Sequence, residues 1–435
     1  MEKLSFFWNE LKSTFWFLPI VIIVVAIAIA LSLLNLDQNI DMPEFGIWKF
    51  IFIESPDSAR SVLTTISSAM IGVTGTVFSV TLVALTIASN QFGSRLIKNF
   101  MHIRLNQVVL GTYVATFVYC LFVLNAIKEN DNIDFIPRFS ILVALVVATC
   151  NIILLVIFIH GIAVMIQADN VIANISASIS KDIDTLFPEK IGDEQKTLRD
   201  DEIDNYKNSY RFKTKIASPR NGYLQYIDGK SLMEKVVKLN GMIELYFRPG
   251  YHLVKDEYLA TLYTNEELVT DEIKKIQEQF IFGTTRTAQQ DMEFSIHQMV
   301  EIASRALSPG INDPYTAISC IDNLSSTLSY LSHAQFPSPF RFDEEKKLRV
   351  IANTMKFEGL MDASFNQIRE YAKGSTIVIF RLMDALITIN KFTEQGHQKE
   401  AIRKHARMVM NLGKVSIAEQ SLVEELEEKY EVFKN

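Results

Sequence analysis

The sequence predicts an α-helical membrane protein with four transmembrane helices, both termini inside, and a cytoplasmic α+β part. Three observations lead there. Residues 1–165 hold four long apolar runs. Basic residues gather on one side of those runs, as the positive-inside rule requires of the cytoplasmic side. Beyond residue 165 the chain takes on mixed charge, first with short β-like runs and then with helical periodicity.

Phe15–Leu34 is the first span. At ~1.5 Å per residue, about 20 apolar residues cross a ~30 Å hydrocarbon core. The second span lies within Val62–Ser89, the third is Val108–Ile127 and the fourth Phe139–Ile159. Between the first two spans stand Asp37, Asp41, Glu44, Glu54 and Asp57 against Lys49 and Arg60. Between the second and third stand Arg95, Lys98 and Arg104 with no acid. That loop, the N-terminus and everything after the fourth span are therefore expected in the cytoplasm.

The second span is unlike the others. It is long and free of charge between Arg60 and Arg95, yet crowded with Ser, Thr and Gly. Thr64, Ser68, Gly72, Gly75, Ser79, Thr86 and Asn90 fall on one helical stripe. Val62, Ile66, Met70, Val73, Val77, Val80, Ala84 and Ile87 form the opposite face, which is expected to meet lipid. The small hydroxyl-rich side then faces either another helix or water. Close packing through Gly72 and Thr76 is one reading. A pore wall is the other, with rings of hydroxyls from several copies and Arg95 at the cytoplasmic mouth.

After the fourth span, residues 166–187 keep an isoleucine stripe and read as a helical stalk continuing that span. Residues 188–210 are polar and read as a linker. Residues 211–265 hold runs such as FKTKIA, YLQYIDG and MIELYFRPG, punctuated by Asn221-Gly222, Asp228-Gly229 and Pro249-Gly250, with a short helix at Lys230–Leu239. Residues 266–435 read as helical to the end, including Thr287–Leu307, Pro314–Leu331, Glu344–Tyr371, Ser375–Asn390 and Gln398–Phe433, with a loop at His333–Arg341. Asp313 fits an N-cap ahead of Pro314 at the first helical position.

Two resemblances follow from short motifs. The run ASPRNGYLQYID followed by LYFRPGYHLVKDEYLATL resembles a lipoyl-like barrel-sandwich hybrid, without the lysine-bearing turn of carrier domains. It implies a small β barrel-sandwich-like packing module. RTAQQD (Arg286–Asp291), RALSPGINDPYTA (Arg305–Ala317), SVTLVALTIASNQFGSR (Ser79–Arg95) and FNQIREYA (Phe365–Ala372) together resemble a family of bacterial predicted inner-membrane proteins catalogued as a domain of unknown function. That resemblance implies a multi-pass inner-membrane protein and supplies no activity.

Arg286, Gln290, Asp291, Arg305, Asn312 and Asp313 form the candidate polar constellation of the cytoplasmic part. Arginine forks suit an ion or small anionic ligand. Helix capping and ion pairing at a sharp corner would use the same residues. Nothing in the sequence suggests catalysis. The seven histidines show no HxxxH, HxH or HExxH spacing, and no phosphate-binding loop or nucleophile elbow occurs. Neither metal nor other cofactor is expected, and three cysteines without a CxxC give no zinc site. The net charge of −7 and the lack of a basic stripe argue against nucleic acid. The expected protein is a homo-oligomeric, channel-like inner-membrane protein whose second span lines a pore under a regulatory cytoplasmic domain. A non-transporting scaffold or sensor that recruits a partner is the alternative. The expected partners are the bilayer, further copies of itself and an ion or small anion.

Overall fold

The computed structural model describes residues 14–39, 55–93, 104–127, 135–165, 167–186, 198–334, 336 and 338–434. The chain divides into two compact units, 1–170 and 171–435.

Among the described residues the first unit holds four helices: α1 (Phe17–Asn39), α2 (Pro56–Phe92), α3 (Arg104–Ala126) and α4 (Arg138–Met165). All four are long and apolar enough to cross a membrane. Helix α3 is the hub and packs on the other three. It is also the least apolar of the four, as suits a span whose neighbours shield it from lipid. Gly111 of α3 is what allows α1 so close. A Cβ there would stand 2.9 Å from Ile22 Cδ1 and 3.0 Å from Pro19 Cα. The shared core includes Leu63, Ile66, Met70 and Val77 from α2, Val109, Tyr113 and Val123 from α3, and Ile141, Ala144 and Phe158 from α4. Helix α2 has 37 residues, about 55 Å at ~1.5 Å each. That exceeds a ~30 Å hydrocarbon core.

Helix α5 (Ala168–Leu186) begins three residues after α4 ends. It therefore starts anew rather than running on from the fourth span. Ile172, Ile175 and Ile179 on its apolar side are buried. In the second unit, part of the stretch expected as a linker is helical: α6 spans Asp200–Asn208, with Glu202 accepting from the Arg199 amide at 2.9 Å. The rest of that stretch up to residue 197 lies outside the described residues.

Strands β1 (Phe212–Ala217), β2 (Gly222–Ile227), β3 (Met242–Leu245), β4 (His252–Leu253) and β5 (Tyr258–Thr264) occupy the expected β region, with α7 (Gly229–Lys238) in place of the expected short helix. Three further strands come from the region read as helical. They are β6 (Phe280–Gly283), which follows α8 (Thr270–Gln277), and the hairpin β7 (Phe340–Phe342) and β8 (Leu348–Ile351). The strands form a five-stranded sheet in the order β1-β5-β3-β8-β7 and a three-stranded sheet β4-β2-β6. Only the β3–β8 pair is parallel. Ile216, Ile243, Leu262 and Val350 of the larger sheet share one core with Leu224, Leu253 and Phe282 of the smaller. Ile203 of α6 packs with Met242, Tyr263 and Phe340 in a second cluster.

The remaining helices are α9 (Met292–Ala306), α10 (Pro314–His333), α11 (Phe357–Tyr371), α12 (Thr376–Phe392), α13 (Gly396–Ser416) and α14 (Gln420–Tyr430). Two expectations are corrected here. The helix expected from Glu344 begins only at Phe357, because 340–351 pair as strands. The long terminal helix is two helices, broken between Ser416 and Gln420. Helix α10 runs parallel to α12, as Ser325 Oγ donates to Ala385 O at 3.3 Å and Ser332 Oγ to Phe392 O at 3.2 Å.

Candidate functional site

The α2 stripe is continuous in the structure and lies open. Thr64, Ser68, Gly72, Gly75, Ser79, Thr86 and Asn90 are all exposed within the chain. A Cβ built on Gly72 or Gly75 would meet nothing within 4 Å. Among the described residues, no neighbour packs closely on these glycines. Arg95, the expected mouth residue, lies outside the described residues. The opposite face is the packed one: Ile66, Met70, Val77 and Ala84 are buried. This reverses the expectation that the aliphatic side meets lipid. The physical reason is the hub α3, against which an aliphatic stripe interdigitates better than a stripe of glycines and hydroxyls. The hydroxyls meanwhile satisfy themselves on their own helix. Ser79 Oγ donates to Gly75 O and Thr86 Oγ1 to Leu82 O, each at 2.9 Å.

Behind the stripe sits a polar network that the spans' apolar appearance hides. Asn151 of α4 is 2% exposed. Its Nδ2 donates to Thr116 Oγ1 of α3 at 2.8 Å and lies 3.5 Å from Met70 Sδ of α2. Tyr113 OH donates to the Asn151 carbonyl at 2.6 Å. Nearer the start of α4, Asp37 of α1 accepts from the amides of Phe139 and Ser140 at 2.9 and 3.0 Å and from Ser140 Oγ at 2.6 Å. A carboxylate there complements the positive end of the helix dipole. These contacts tie α1, α2 and α3 each to α4. The lone Asn in the fourth span and the Asp closing the first were the available signals for them.

The polar constellation of the second unit resolves into two corners at opposite ends of α9. Fourteen residues separate Asp291 from Arg305, about 21 Å along a helix. At the first corner Arg286 grips Asp291 with two bonds, Nε to Oδ2 at 2.7 Å and Nη2 to Oδ1 at 2.8 Å. Asp291 is fully buried and caps α9 by accepting from the Phe294 amide at 3.2 Å. Burial pushes its carboxyl above the ordinary carboxylate range, against the opposing pull of Arg286 and the Phe294 amide. Gln290 bonds both backbone groups of Ile227 at the end of β2, at 2.9 and 3.2 Å. Gly250 makes room for the Asp291 carboxylate. Its φ is +101°, and a Cβ would lie 2.3 Å from Asp291 Oδ2. Arg248, beside it, donates to Glu293 at 2.6 Å. This corner therefore ties sheet to helix bundle, with Arg286 paired to Asp291 by two bonds.

At the second corner Asp313 caps α10 as expected. It accepts from the Thr316 amide at 3.1 Å and from Thr316 Oγ1 at 2.6 Å. Its own amide donates to Ala306 O at 2.7 Å, closing the turn. Asn312 occupies the left-handed region at φ +51°, which Asn tolerates better than most residues. Arg305 lies 3.6 Å from Glu301 one turn back. Two side chains of this loop, Ile311 and Tyr315, stand 48% and 72% exposed. Among the described residues no group of three or more potential metal ligands occurs.

Four apolar helices, the RTAQQD corner and the RALSPGINDP corner point to one family. Residues 12–388 match the family of predicted membrane proteins DUF2254. The chain belongs to that family. Relatives include uncharacterised proteins of Mycobacterium tuberculosis and Mycobacterium bovis, each 28% identical over 378 residues, covering 86% of this chain and 71% of theirs. No solved structure matches the chain. The family match spans all four helices, both sheets and both corners. It ends within α12, short of α13 and α14.

Proposed function

We propose that the protein is a homo-oligomeric, channel-like protein of the bacterial inner membrane, with α2 turned toward the assembly axis and the second unit acting as its regulatory part in the cytoplasm. One observation carries this reading. The glycine, serine and threonine stripe of α2 lies open among the described residues, while Ile66, Met70, Val77 and Ala84 of the aliphatic side are buried in packing within the chain. Small residues let helix backbones of neighbouring subunits approach closely. Around an axis, the same stripe would present hydroxyls to water without a fixed charge in the span. The cytoplasmic placement of the second unit is supported by the all-basic loop of Arg95, Lys98 and Arg104.

The test uses purified full-length protein in planar bilayers under voltage, tension and pH steps. Conductance is expected, with Ser79→Trp blocking it. In a Cys150→Ala background, Ser79→Cys is expected to cross-link copies to one another. Silence under all three stimuli, together with no cross-linking, would sink both the pore and the α2 interface. Cross-linking without conductance would favour the second reading, a non-transporting scaffold or sensor. The exposed Ile311 and Tyr315 beside the α10 cap favour that reading, as an apolar tip for a recruited partner.

A further inference from the structure

Helices α11 and α13 meet along a seam whose polar groups are incompletely matched. His405 of α13 is 1% exposed. Its Nε2 lies 3.0 Å from Asp362 Oδ1 of α11. Lys404 Nζ donates to the same carboxylate at 2.9 and 3.2 Å. Arg369 reaches it through Asn366, whose Oδ1 accepts from Arg369 Nη1 at 3.0 Å and whose Nδ2 lies 3.4 Å from Asp362 Oδ1. Lys404 and Arg369 thus already attend Asp362, and Glu370 also acts on Arg369. The second ring nitrogen, Nδ1, is buried with no hydrogen-bond partner. Two turns back on the same face of α13, Gln398 is 1% exposed and bonds with neither its Oε1 nor its Nε2. Ser364 Oγ of α11 is likewise buried and unbonded.

We propose that this seam is an acid-sensitive latch, held by a neutral His405 on Asp362 and released when the ring takes up a proton. A proton on Nδ1 creates a buried N–H with no acceptor among the described residues and adds a positive charge beside Lys404 and Arg369. The gain from Asp362 is already shared with Lys404. Opening the seam hands water to Nδ1, to both ends of the Gln398 amide and to Ser364. Each unpaired buried polar group disfavours the closed seam. Several charges of the other helices packed on α13 are already paired. Arg381 of α12 pairs with Asp322, Asp384 of α12 with Lys429 of α14, and Glu427 of α14 with Lys414. On α11, Glu358 lies 4.0 Å from His397.

Burial pulls the ring down to about 4, with Lys404 and Arg369 adding to the shift and Asp362 opposing it. The open ring, at the ordinary ~6.5, binds protons first as pH falls. The closed seam therefore keeps its full stability above ~6.5 and loses it progressively toward pH 4. At pH 5 these two values predict roughly 30-fold more frequent opening than at pH 7.5.

Hydrogen exchange on the full-length protein in detergent, at pH 7.5 and pH 5 and corrected for intrinsic rates, reads this directly. Peptides from α11 and α13 are expected to show the roughly 30-fold rise, while those from the β3–β5 pair do not. His405→Gln keeps one donor for Asp362 but does not titrate, and should abolish the rise. Lys404 sits at the surface, so Lys404→Ala should fold even if His405→Gln does not. It relieves the cation crowding and should make the rise smaller. Equal protection at both pH values in the parent protein overturns the latch. So does an undiminished rise in Lys404→Ala or in His405→Gln.

Discussion

Arg349 illustrates how much of this fold rests on single side chains. It is 3% exposed, on the last-added internal strand, β8. Its Nε donates to Asp343 at 2.6 Å, Nη1 to Gly241 O at 2.9 Å and Nη2 to Asn240 Oδ1 at 3.1 Å. One guanidinium thus joins the β7–β8 turn to the turn before β3, over a hundred residues earlier. Burial alone would raise the Asp343 carboxyl. Arg349 and the amides of Lys347 and Glu345 outweigh it and hold the carboxyl below its ordinary range. A depressed carboxyl contributes stability that is fully present above the unfolded value of ~3.9 and is lost as pH falls through the folded one. Asp343→Asn is expected to cost about 3–5 kcal/mol at pH 7, because it strands a buried arginine. Chemical denaturation of the variant should also show a shallower stability loss below pH 4 than the parent. A cost under ~1 kcal/mol would mean that the arginine finds other acceptors. Nothing about Asp343 or Arg349 in the sequence singles them out from the other charges of DEEKKLR, since their partners come from a distant turn.

At the scale of elements, local signals were read well where the element obeys only local rules. Asp313-Pro314 announced α10, and the cap is present with its expected geometry. Asp313→Ala should therefore lower stability by about 1 kcal/mol, the usual worth of such a cap, seen as a drop in melting temperature. A neutral result would mean that the Ala306 turn alone holds the corner. The hairpin β7–β8 was illegible for the opposite reason. Phe340–Phe342 and Leu348–Ile351 are three and four residues long, too short for alternation to show. They become strands because β3 offers a free edge, with which β8 pairs in parallel. The start of α9 moved from Thr287 to Met292 for a similar reason. Arg286 and Gln290 are held by Asp291 and β2, which stops the helix from starting earlier.

For the whole molecule, the division into two units with separate cores has a measurable consequence. All three tryptophans, Trp8, Trp16 and Trp48, fall in the first unit. In detergent, urea should unfold the second unit first, because spanning helices satisfy their backbone internally and stay shielded from the denaturant. Far-UV circular dichroism is expected to fall in a transition that tryptophan fluorescence does not report. Coincident transitions by both probes would show that the two units unfold as one.

The sequence by itself determined the four spans, the change of character after residue 165, the strand-rich character of 211–265 and the cap of α10. Each is written in hydropathy, turn residues or capping residues within a few positions of one another. Only the tertiary structure decided that α2 packs through its aliphatic face and leaves Gly72, Gly75 and Ser79 open. A helical net shows that two faces differ but not which one a neighbour takes, and here α3 took the aliphatic one. The tertiary structure also split the polar constellation in two. Residues close in sequence were carried to opposite ends of α9, while Gly250, Arg248 and Ile227 came from far away to complete its first corner. Contacts between residues distant in the chain leave no period to read, and such contacts set the first corner, the β3–β8 pairing and the His405 seam.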